Sequence, residues 1–125
     1  MKLQSIVLAG ILGVAALVPF IASTAADKVT SVADVNKNKA SLAGKTINVE
    51  GKVVKVNNGI MGRNFVHVQD GTGDATSNNL IVTSKQSANV GEQVKVSGVV
   101  VVNRDFGAGY MYPLLLEEAN ITVKQ

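Results

Sequence analysis

Residues 51–73, GKVVKVNNGIMGRNFVHVQDGTG, constrain the fold more than any other stretch. Val53, Val54 and Val56 continue a β-branched run that begins at Thr46, and such residues suit a pleated, half-buried surface. Asn57, Asn58 and Gly59 interrupt the run with residues that tolerate turn conformations. The expected order is a strand, a long irregular loop, a second strand and a tight turn. Over residues 64–70 the pattern alternates. Val66 and Val68 fall on one side, and Phe65, His67 and Gln69 on the other. The valines are the core side. An exposed phenyl ring, an imidazole and an amide are then expected side by side on the outer face.

The run over residues 46–56 also changes phase. Ile47 and Val49 share one parity, Val54 and Val56 the other, with Gly51 between them. A glycine within a strand marks a bulge or a sharp bend. A long strand bent there can serve both halves of a small closed barrel. Further strands are expected over residues 80–83, 94–102 (interrupted by Gly98) and 111–116, with 121–123 extending the sheet. Before them, Thr30 or Ser31 can cap a short helix carrying Asp34 in its first turn, where the helix dipole favours a carboxylate. Val32, Val35, Leu42 and Ala40 form its apolar stripe, residues 36–39 read as solvated, and Gly44 ends it. The fold class is therefore all-β with a short N-terminal helix. Five strands, a bent first strand and a short element between the third and fourth fit the OB-fold, a five-stranded Greek-key barrel. Another small β-barrel or sandwich is the alternative. OB-fold ligands lie across strands two and three, between the first and last hairpin loops.

Several chemistries fail on context. Asp70-Gly71-Thr72-Gly73-Asp74 contains GxG but has no third glycine and no following helix, so it is a turn rather than a dinucleotide fingerprint. The alternating Asp70, Thr72 and Asp74 lack the rest of a calcium loop. Asp105-Phe106-Gly107 stands without any other kinase element. Glu117 and Glu118 are adjacent and point to opposite faces of a strand, so they make no acid–base pair. No enzyme is expected.

Lys2, the apolar run from Leu3 to Ala22 and the small residues Ser23-Thr24-Ala25-Ala26 form a secretory signal peptide over residues 1–26. Residues 27–125 form one domain, expected in the periplasm or medium and free of the membrane after cleavage. Cleavage after Ala25 fits as well, and an uncleaved anchor is the alternative. The absence of cysteine excludes disulfides, thiolate zinc sites and thiol catalysis. Of 12 basic and 9 acidic residues, Lys2 leaves with the leader, so the domain is mildly basic. That permits an anionic partner without demanding one.

The strings GKVVKVNNGIMGRNFVHVQDGTG, VGEQVKVSGVV and DFGAGYMYPLLLEEA resemble exported bacterial OB-fold proteins of the NrfJ-related, nucleic-acid-binding type. The resemblance covers most of residues 27–125 and implies the barrel. It also implies nucleic-acid binding or a protein-interaction role in periplasmic redox-enzyme maturation. Tryptophan is expected in related sequences where this chain has Phe65, so the aromatic face is kept but an indole N–H donor is not.

Four aromatic residues follow the leader: Phe65, Phe106, Tyr110 and Tyr112. In an OB-fold all four fall near one face, while the first and fourth strands use valine. Arg63 and Arg104 lie beside them. The candidate ligand-binding set is Arg63, Phe65, His67, Gln69, Arg104, Phe106, Tyr110 and Tyr112, for single-stranded nucleic acid or another extended ligand. A second set, Met61, His67 and Met111, has the thioether and imidazole donors that suit Cu(I), and implies a copper-handling accessory as the alternative.

Overall fold

The computed structural model describes residues 28–107 and 109–124. The expected signal peptide lies outside them. Two short helices, α1 (Val32–Lys37) and α2 (Lys39–Leu42), precede five strands: β1 (Thr46–Ile60), β2 (Arg63–Gln69), β3 (Leu80–Ser84), β4 (Gln93–Asp105) and β5 (Met111–Val123). The strands close into a barrel in the order β1-β2-β3-β5-β4, with β4 returning to β1. All pairings are antiparallel except β3 with β5. The all-β, OB-like barrel is the observed fold.

The interior is aliphatic. Val49, Val53, Val66, Val68, Leu80, Val82, Val94, Val96, Val100 and Leu116 fill it, and Val32 and Val35 of α1 join the same cluster. Ser31 caps α1, its Oγ accepting from Asp34 N at 3.1 Å. The turn after β2 supplies the rest of the cap. Asp70 Oδ2 accepts from Val32 N and Thr72 Oγ1 from Ala33 N, both at 2.9 Å. These satisfy amides that a helix start leaves open. Asn36, expected in solvent, is half-buried and donates to the carbonyls of Val32, Ser77 and Asn79. Ala40, expected on the apolar stripe, is exposed. The segment between β3 and β4 contains turns and no helix, so α1 is the helix that packs into the barrel.

Two local expectations are corrected. The expected irregular loop after Val56 is instead a hairpin arm. β1 runs on to Ile60, and Met61 and Gly62 alone turn the chain, with φ of 52° and 78°. Two consecutive positive φ values match the strand twist, as in type I′ turns. A register shift between Asn57 and Ile60 absorbs Asn58 and Gly59. The phase change lies at Val54 rather than Gly51. Ile47, Val49, Gly51 and Val53 all face inward, and the shift between Val53 and Lys55 turns Val54 outward and Val56 back to the core. Gly51 instead makes room for a neighbouring strand. A Cβ there would stand 2.6 Å from the Gln69 carbonyl oxygen, so only glycine lets β2 cross so close.

A bulge also sits in β5. Between Ser97↔Asn120 and Val99↔Glu117 the register slips by one, with Glu118 at φ 52°. This puts Leu114 and Leu116 before the bulge, and Ala119 and Ile121 after it, on the same inner face.

Candidate ligand-binding face

Phe65 follows its expected parity but not its expected exposure. It lies on the opposite face of β2 from the core valines, yet is only 2% exposed. Its ring centroid is 5.9 Å from that of Phe106 and 5.5 Å from that of Tyr112, and these two stand 5.7 Å apart. The three rings form a small second core outside the barrel, with edge-to-face geometry in two of the three pairs. Hydrophobic surface on an outer strand face is costly when open to water, and the β4–β5 loop covers it.

That loop is held in shape by its own bonds. Gly107 N donates to Asp105 Oδ1 at 2.7 Å, Phe106 N to Tyr110 O at 2.8 Å and Tyr110 N to Gly107 O at 2.9 Å. Gly107 and Gly109 take φ of 87° and 84°, which side chains other than glycine adopt at a cost. The closed turn holds the Phe106 ring over the strands and leaves Tyr110 54% exposed.

Two guanidinium groups from different hairpins meet the Phe106 ring. Arg63 Cζ is 5.1 Å from its centroid and Arg104 Cζ 4.8 Å. Cation–π contacts of this kind contribute about 0.5–2 kcal/mol each. Arg104 also reaches Glu117, Nη1 to Oε2 at 3.7 Å, and Thr83 Oγ1 donates to Glu117 Oε1 at 3.5 Å. Glu117 is buried and Arg104 partly exposed, so the carboxylate holds the guanidinium in place while its charge stays near solvent. Arg63 makes no ion pair among the described residues.

His67 and Gln69 continue along β2 and are half-buried. His67 Nδ1 lies 3.3 Å from Asn79 Nδ2, and with the amide donating, the ring proton belongs on Nε2. Burial, followed by the charge of Lys55, lowers the His67 pKa below its ordinary value, so the neutral ring is favoured. Met61 sits on the hairpin turn and Met111 at the start of β5, 43% and 55% exposed. His67 lies four residues beyond Arg63, about 13 Å along a strand. Met61 and His67 thus occupy opposite ends of β2 and are not brought together.

The fold unites Arg63, Phe65, Arg104, Phe106 and Tyr112 from the expected set. Tyr110 borders them, and His67 and Gln69 lie further along the strand. Thr83 and Glu117 complete the cluster and were not expected. Their signal is parity: Glu117 alternates with the core-facing Leu116, which places it on the outer face where Phe65 and its pairing partner Thr83 lie.

No family model and no curated protein matches the chain. Among solved structures it is similar to a Leishmania major Friedlin protein assigned as an aspartyl-tRNA synthetase. Sequence identity is 12% and the TM-score 0.52, over 78% of this chain and 21% of that one. The likeness is one of fold, and it fits the OB-like barrel.

Proposed function

We propose that the protein is an exported, non-catalytic OB-fold module that binds an extended anionic ligand, single-stranded nucleic acid being the ligand whose chemistry fits best. The observation that carries the reading is the meeting of Arg63 and Arg104 on the Phe106 ring, at 5.1 and 4.8 Å. Charge and flat surface are combined at one place, as single-strand binders combine them. The roles differ within the cluster. Phe65 and Tyr112 brace it, Phe106 supports the two guanidinium planes, and Tyr110 presents the freest ring. Bases stack on guanidinium planes as well as on aromatic rings. The likeness to a protein assigned as a tRNA synthetase supports the reading at the level of fold.

A two-dimensional NMR titration with oligo(dT) at low salt tests it. Shifts at Arg63, Arg104 and Tyr110 that fade as salt is added are expected, because phosphate contacts release counterions. An unchanged spectrum would sink the reading. A second reading, a protein partner in redox-enzyme maturation, is favoured by the exposed Ile60, Met61, Tyr110 and Met111 on the two hairpin ends. An unchanged oligo(dT) spectrum, together with a pull-down in which Tyr110→Ala loses the partner, would favour it.

A further inference from the structure

β3 and β5 pair through a single rung, Val82↔Leu116. Beyond it, side chains span the gap. Ser84 Oγ donates to Ala119 O at 2.6 Å, and Ile121 N donates to Gln86 Oε1 at 2.8 Å. A groove of about 470 Å³ opens beside this seam, lined by Arg63, Thr83, Lys85, Gln86, Glu118 and Asn120 among others.

Its walls are fixed before any ligand arrives. Asn64 Nδ2 donates to the carbonyls of Lys85 and Gln86 at 3.3 and 3.1 Å, and Asn64 Oδ1 accepts from Gly59 N at 3.0 Å. The first hairpin is thereby fastened to the far wall. Ser84 Oγ also accepts from Gln86 N at 2.9 Å. By contrast, the side chains of Lys85 and Asn120 have no hydrogen bond or ion pair among the described residues, and Arg63 has only its ring contact. Two cations face one carboxylate, Glu118, and the rest of the lining offers polar groups and apolar surface in about equal measure. That charge balance disfavours a cationic guest, and the polar groups suit one that forms hydrogen bonds. Arg63 belongs both to the groove and to the Phe106 cluster, so the two surfaces are continuous.

We infer that the seam groove is a second segment of the binding site, taking one nucleotide residue of a single strand whose neighbours lie over the aromatic cluster. Arg63 and Lys85 hold its phosphate, and Asn120 meets the sugar or base edge. The size is right, since sites for small ligands occupy about 300–1,000 Å³. The inference rests on the proposed function and extends its footprint to residues on β3 and β5.

The test compares oligo(dT) of about ten nucleotides, within the span of a single OB fold, with the dinucleotide dTpdT. Lys85→Ala and Asn120→Ala should each weaken the longer strand roughly five- to tenfold. Neither should change dTpdT binding, which the aromatic cluster supports alone. Lys85→Ala should lower the slope of log K against log salt by about 0.7, one lost single-strand phosphate contact. Glu118→Gln should tighten the longer strand, an effect that partial unfolding cannot imitate. If the longer strand binds the native protein and Tyr110→Ala weakens it, but the groove variants bind unchanged, the groove is not a site and the proposed function stands. If the native protein binds neither probe, the proposed function falls and the groove assignment with it.

Discussion

The inside of the barrel and the cluster outside it are built from different residues. The interior is valine, leucine, isoleucine and alanine, with no aromatic ring. Outside, three rings, two guanidinium groups and a buried carboxylate gather within one small patch. Aliphatic side chains suffice to close five strands, with two valines of a short helix joining their core. The aromatic residues are therefore not needed to make the barrel, and their collection at one place calls for a separate cause. Phe65 complicates that division, because a ring this buried contributes to stability as well.

The largest effect should come from that ring. Phe65→Ala is expected to cost about 3–5 kcal/mol, as for other buried phenylalanines, read from urea unfolding. A cost below about 1 kcal/mol would mean the outer cluster is not a second core. Within the barrel, Leu116→Ala should cost about 2–5 kcal/mol and leave oligo(dT) affinity of the folded fraction unaltered. Loss of affinity beyond the unfolded fraction would erase the division between the two regions. Phe106→Ala should do the reverse. Its ring is less buried than that of Phe65, so the melting temperature should fall less than for Phe65→Ala, while binding weakens by about 1–3 kcal/mol as two guanidinium supports go. A loss of stability with unchanged affinity of the folded fraction would show that the patch serves packing alone.

The smallest effect concerns pH. The folded pKa of His67 is lowered, first by burial and then by Lys55. The unfolded chain therefore binds the proton more readily. Stability is full above the ordinary histidine value of 6.5 and is lost as pH falls from there through the folded value. His67→Gln should flatten the profile in that window, measured by urea midpoints from about pH 8 to about pH 5. Asp70 acts in a lower window. Burial raises its pKa, but the hydroxyl of Thr72 and the amides of Val32 and Thr72 outweigh this and hold it low. Its contribution is present above its ordinary value of 3.8 and goes as pH falls through the folded one.

Much of this was legible in the residues. The first four strands follow from β-branched residues between turn residues, the fifth from the apolar run over residues 111–116, and the helix from Ser31, Asp34 and two valines one turn apart. Gly51 and Gly98 were legible as irregularities, though not in kind. Gly51 admits a crossing backbone, and Gly98 lies opposite the bulge that Glu118 makes. The phase change was visible but its location was not, because an alternating run reports parity and does not say which residue was skipped. The hairpin arm was missed because Asn57-Asn58-Gly59 are turn formers by type, while the long antiparallel pairing on either side absorbs them as an irregularity. Parity placed Phe65 on the outer face; its burial depends on a loop some forty residues later, beyond any local pattern. Separations of 34 residues from Thr83 and 13 from Arg104 likewise hid Glu117 from its partners.

The turn that caps α1 also bears on the order in which the molecule assembles. A six-residue helix cannot hold itself together in water, since nucleation costs more than so few bonds return. Two of its opening amides are satisfied by Asp70 and Thr72, 38 and 39 residues away in the chain. The helix is therefore expected to form only once β2 and its turn are in place. In a pulsed hydrogen-exchange experiment the amides of Val32 and Ala33 should become protected after that of Val66, so the segment that comes earlier in the chain settles later in folding.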